Sequence, residues 1–112
     1  MEINVVVDKS CGYKATEAAE KLKEHCKRNK INIRYDDLLI VISNDWEFVK
    51  KICKKYEKAK MKINITENFS EQHIINSLKY VHDICYLKSD VNLITTRIMK
   101  AYKMRYLRKR VG

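Results

Sequence analysis

The segment Ile3 to Val7, I-N-V-V-V, is a short apolar run closed by Asp8, with the length and β-branched content of a buried strand. After Gly12, the residues Ala15, Ala18, Ala19, Leu22 and Cys26 recur at i, i+3, i+4, i+7 and i+11 and predict an amphipathic helix. Two further strands follow. Ile31 to Tyr35 alternates Ile31, Ile33 and Tyr35 with Asn32 and Arg34, whereas Leu38 to Ile42 is apolar throughout, and Asp36-Asp37 form the turn between them. Asn44 with Glu47 three places on reads as a helix start, and Trp46, Val49, Ile52, Cys53 and Tyr56 supply the buried stripe of that second helix. Lys62 to Thr66 alternates again, with Ile63 and Ile65 on one side.

Beyond two candidate caps, Asn68 and Ser70, a third helix is expected to carry Ile74, Leu78, Val81 and Cys85 on one face. Ser89-Asp90 marks a break. A last helix from about Val91 to Arg108 turns Val91, Ile94, Ile98 and Tyr102 inward. The predicted order is β-α-β-β-α-β plus two helices, an α+β, ferredoxin-like βαββαβ sheet of four mostly antiparallel strands with two additional C-terminal helices. In that topology the first and third strands are central and the second and fourth are edges, which matches the continuous apolarity of V-V-V and L-L-I-V-I. The central strands then present Val6, Leu39 and Val41 to the face that the first two helices leave open. The C-terminal pair is expected to cover it.

The length of 112 residues sets one domain, read as 1–68 for the sheet unit and 69–112 for the helical pair. Proline is absent and glycine occurs only at Gly12 and Gly112, so no flexible linker or Gly-rich phosphate loop is visible. No apolar run reaches the roughly 20 residues of a membrane span, and no basic leader precedes a long apolar stretch, so the expected location is the cytoplasm. The four cysteines, Cys11, Cys26, Cys53 and Cys85, show no C-x-x-C and no Cys/His ligand spacing, and are expected as reduced thiols in the core. No cofactor or metal is implied.

Charge changes this picture. The chain carries 24 Lys and Arg against 14 Asp and Glu, a net +10. Seven of those cations, Arg97, Lys100, Lys103, Arg105, Arg108, Lys109 and Arg110, lie beyond Val91 with no acid among them. Interleaved with Tyr102 and Tyr106, they suit phosphate-backbone contact and base stacking. Lys50, Lys54 and Lys58 make a second row at i, i+4 and i+8. The expected function is therefore a small basic nucleic-acid-binding accessory or regulatory protein, on DNA or RNA, reading backbone through its last helix and acting as monomer or homodimer. Base reading on the sheet, as in the RNA recognition motif, is disfavoured because its central strands lack aromatics. The competing class is a protein-interaction module of phage or mobile-element type, an inhibitor or adaptor that docks an acidic protein surface.

A third reading is enzymatic. Asp8 ends the first strand and Asp36-Asp37 sit at a hairpin tip, so three carboxylates could converge for two-metal phosphoryl transfer. Arg34-Tyr35-Asp36-Asp37-Leu38 resembles the catalytic hairpin of palm-type polymerases and reverse transcriptases, with Asp8 in the place of the first-strand aspartate. The segment departs from the reverse-transcriptase pattern by one missing residue between Tyr and the Asp pair, and the chain has no space for fingers or thumb. Ser10-Cys11-Gly12 could place a thiol at a helix N-terminus, but no arginine signature follows, and a tight turn is the expected role. His25, His73 and His82 are scattered and are expected at the surface or its boundary. Asp8, Asp36 and Asp37 are expected to be structural, and the chain not to be an enzyme.

Overall fold

The computed structural model describes residues 4–28, 38–88, 90, 92–98 and 100. Four strands, β1 (Asn4–Val7), β2 (Leu38–Ile42), β3 (Met61–Thr66) and β4 (Asp83–Tyr86), form one sheet in the order β1-β2-β3-β4. Every pairing is parallel, with Val5 opposite Ile40, Ile40 opposite Ile63, and Ile65 opposite Cys85. The helices are α1 (Tyr13–Arg28), α2 (Trp46–Lys55), α3 (Glu71–Ser77) and a C-terminal helical segment, α4 (92–98).

Strand alternation builds two cores. Leu38, Ile40, Ile42, Met61, Ile63, Ile65, Cys85 and Leu87 point to one face, where Ala15, Ala19 and Leu22 of α1 and Ile94 and Ile98 of α4 cover them. Leu39, Val41 and Ile84 point to the other, under Val49, Ile52 and Cys53 of α2 and beside Val81, with Val6 and Ile74 packed against them. A parallel sheet needs both faces covered. The steps β2-α2-β3 and β3-α3-β4 advance in the same direction across the sheet, and right-handed crossovers therefore put α2 and α3 on one side.

This architecture corrects the ferredoxin-like expectation. In a βαββαβ sheet, the strand at residues 62–66 would lie beside the first strand and run antiparallel to it. Instead β3 pairs parallel with β2, on the side away from β1. The sheet also continues past residue 68, because Ile84 and Cys85 belong to β4 and not to a long third helix. Their spacing from Ile74 mimics a helical stripe, yet Leu78 on that stripe is exposed. The C-terminal helices consequently cannot cover one face as a pair: α3 joins α2, and α4 joins α1. The expected strand Ile31–Tyr35 and the Asp36-Asp37 turn fall outside the described residues.

Local signals decide the helix starts. Asp45, one place beyond the expected Asn44, caps α2 by accepting the Glu47 amide at 2.9 Å. Ser70 caps α3 through the His73 amide at 3.2 Å. No helix among the described residues is long and apolar enough to cross a membrane.

Candidate functional site at the carboxyl edge of the sheet

Ladder hydrogen bonds run past the ends of the strands. The amide of Asp8 donates to the Ile42 carbonyl at 2.8 Å, that of Ser43 to Ile65 at 3.1 Å, and that of Leu87 to Thr66 at 2.9 Å. All strands being parallel, their polar ends gather along one edge: Asp8, then Ser43 and Asn44, then Thr66, Glu67 and Asn68, then Leu87 and Lys88. Open α/β sheets bind ligands outside this edge.

Much of the edge is knitted together. One Asp8 carboxylate oxygen accepts the Ser10 amide at 3.0 Å and the Ser10 hydroxyl at 2.8 Å, and the other accepts the Ser43 hydroxyl at 2.8 Å. Burial works against ionisation of Asp8, but the hydrogen bonds from Ser43 and Ser10 outweigh it and hold the carboxyl below its ordinary range. Asn44 accepts the Thr66 hydroxyl at 2.8 Å and the Glu67 amide at 2.7 Å, so the residue expected as a helix cap ties β2 to β3 instead. Asp8 caps the 3-10 turn Lys9–Cys11, which ends at Gly12 with φ of +83°, a left-handed conformation that side chains with a Cβ rarely adopt. Cys11 belongs to this turn, as expected. Burial is the main cause raising its thiol pKa, with the backbone of Asn44 opposing it and Asp8 adding to it. Cys85 is pushed up to about 11, by burial first and then by Asp83.

Behind the edge, on the α2–α3 face, Asn64 is fully buried in mid-strand. Its amide donates to the carbonyls of Val41 at 2.9 Å and Ser43 at 3.2 Å, and its oxygen lies 2.8 Å from His73 Nε2. Since that oxygen can only accept, Nε2 carries the proton, and Nδ1 is left as a buried acceptor with no hydrogen-bond partner. Burial, with Asp45 opposing, lowers the His73 pKa, so the ring is neutral. His73 was expected at the surface or its boundary; its Asn64 bond is what makes a 1% exposed imidazole tolerable.

On the α1–α4 face the edge opens into a cavity of about 330 Å³. Ala18, Leu22, Ile65, Leu87 and Ile94 provide its apolar lining, and Lys14, Lys88 and Glu67 are among the charged side chains around it. Reasoning from the sequence did not find this site. The signal available was the polar residue after each apolar strand, and it acquires meaning only once the strands are known to be parallel.

The expected binding residues are elsewhere. Lys50 and Lys54 lie on α2 and Lys58 in the turn after it, whereas Arg97 and Lys100 lie on the C-terminal helical stretch across the sheet. Arg97 is also engaged, its guanidinium 3.2 Å from Asp83 of β4. Tyr102, Lys103, Arg105, Tyr106, Arg108, Lys109 and Arg110 fall outside the described residues, as do Asp36 and Asp37. Among the described residues no group of three His, Cys, Asp or Glu side chains could hold a metal ion.

No family model and no curated protein matches the chain. A solved structure does: a response regulator from Thermotoga maritima, at 14% identity and a TM-score of 0.54, over 92% of this chain and 99% of that one. That likeness establishes the fold, a doubly wound parallel α/β sheet. It overturns the ferredoxin-like nucleic-acid-binding accessory reading, whose two basic rows the sheet separates. The phage-type inhibitor or adaptor and the palm-like alternative find no support either, the latter because β1, β2 and β3 are all parallel.

Proposed function

We propose that the chain is a non-catalytic regulatory domain whose state is set by a small molecule held in the cavity at the carboxyl edge of the sheet. The observation that carries this reading is the cavity itself. Its 330 Å³ falls in the range of ligand sites, it has an apolar lining and a charged rim, and it lies at the edge where such sheets bind ligands. The groups most suited to chemistry are committed to structure. Asp8 has both carboxylate oxygens occupied, the Cys11 thiol is raised toward its protonated form, and His73 is packed on the opposite face. The regulatory half of the reading draws on fold analogy with a response regulator.

The test is an NMR titration of methyl-labelled protein with a library of small acids, amines and neutral compounds. Members of the library are expected to shift the methyl signals of Ile65, Leu87 and Ile94 in a saturable way, and Ala18→Phe, which fills the cavity, is expected to abolish the effect without unfolding the protein. A library that moves none of these signals, or moves them equally in Ala18→Phe, refutes the proposal.

A further inference from the structure

We infer that the cavity prefers a monocarboxylate with an apolar body, an inference that rests on the ligand-binding reading above and specifies its ligand. Six charged residues border the cavity, three cationic and three anionic, but they are not equally available. Glu17 is spent on Lys21, at 3.2 Å along α1. Asp90 accepts the Asn92 amide at 2.7 Å, at the start of α4. Glu67 has only its backbone amide engaged, by Asn44. Lys14 and Lys88 have no ion-pair partner among the described residues. Two uncommitted cations therefore face one uncommitted anion, and a single negative charge on the ligand restores balance.

The lining fixes the rest of the ligand. Leu22, Ile65 and Ile94 are buried core residues, and Leu87 and Ala18 continue the same apolar surface. A body without hydrogen-bonding groups gains by displacing water from them, whereas a polyol or a polyphosphate would strand polar atoms there. Lys14 stands on the first turn of α1 and Lys88 just beyond β4, so the two ammonium groups come from separate elements that meet at the sheet edge.

The probes are 3-phenylpropanoate and its uncharged isostere 3-phenylpropanamide, titrated against the full chain. Dissociation constants come from the methyl shifts of Ile65, Leu87 and Ile94, and are measured again in Lys14→Gln/Lys88→Gln. The acid is expected to bind about tenfold more tightly than the amide, the gain of one charge-assisted hydrogen bond over a neutral one. The double variant is expected to erase that preference while its melting temperature stays within a degree or so of the parent, as befits two surface lysines. Equal binding of acid and amide overturns the carboxylate preference and leaves the cavity reading standing. Failure of both probes to bind also overturns it, and the library titration with Ala18→Phe then decides the cavity reading separately. A preference for the acid that survives in the double variant refutes the assignment to Lys14 and Lys88.

Discussion

Asn64 puts a carboxamide in the middle of a buried strand, where its removal would strand the carbonyls of Val41 and Ser43 and the Nε2 proton of His73. Each unsatisfied buried group costs about 1–3 kcal/mol, so Asn64→Leu is expected to destabilise the protein by several kcal/mol, read from urea unfolding midpoints. His73 adds a pH dependence of definite sign. The fold keeps the ring below its ordinary pKa, so over the interval below about 6.5 the unfolded chain binds a proton that the native state refuses. Stability is therefore complete above that interval and falls as pH drops through it, with a slope approaching about 1.4 kcal/mol per pH unit. His73→Gln should flatten this limb in unfolding curves recorded between pH 7 and the acid range. Asp8 gives a second, more acidic limb: stability present above the ordinary carboxylate range is lost as pH falls through its lowered value. In Ser43→Ala, burial is less well opposed, and carbon-detected titration of the Asp8 carboxyl should report a higher pKa than in the parent.

At the scale of elements, β4 and α4 close the sheet. Ile94 and Ile98 of α4 are buried at 5% and 1% exposure, while the Arg97–Asp83 pair beside them has side chains 53% and 35% exposed. Apolar burial dominates that balance, because half-exposed ion pairs contribute about 0–1 kcal/mol. Ile98→Ala is expected to cost about 2–5 kcal/mol and Arg97→Gln under about 1 kcal/mol, so chemical denaturation of the two variants distinguishes a helix held by its core from one held by charge. The strand character of β4 has its own readout. The Leu87 amide, bonded to Thr66, and the His82 amide, bonded to Lys62 at 2.7 Å, should exchange slowly with solvent, together with the core of β3. Fast exchange at both positions would show that residues 82–87 are not stitched into the sheet. The helix stripe read through Ile74, Leu78, Val81 and Cys85 fails because four apolar residues at helical spacing can also arise where a short helix is followed by a strand. Only sheet pairing separates the two.

At the scale of the molecule, the sequence by itself determined the local states of most segments: strands near residues 4–7, 38–42 and 61–66, the stripe Val49, Ile52 and Cys53 on α2, the cap at Ser70, and the inward positions Ile94 and Ile98. These follow from periodicity and side-chain chemistry, which act over a few residues. Tertiary structure alone decided strand order and direction. An apolar run such as L-L-I-V-I satisfies the centre of an antiparallel or of a parallel sheet equally well, and only its pairing with β1 and β3 distinguishes them. Direction in turn decided the site. Asp8, Ser43, Asn44, Thr66, Glu67 and Lys88 share an edge because all four strands point the same way, a relation between residues far apart in the chain. Burial of Asn64 was equally hidden: an asparagine at the centre of alternating apolar positions reads as solvent-facing, and it becomes a core residue because two carbonyls and an imidazole from other elements satisfy it. Net charge misdirected the functional reading for the same reason, since a count of lysines and arginines carries no information on which face of the sheet each one occupies.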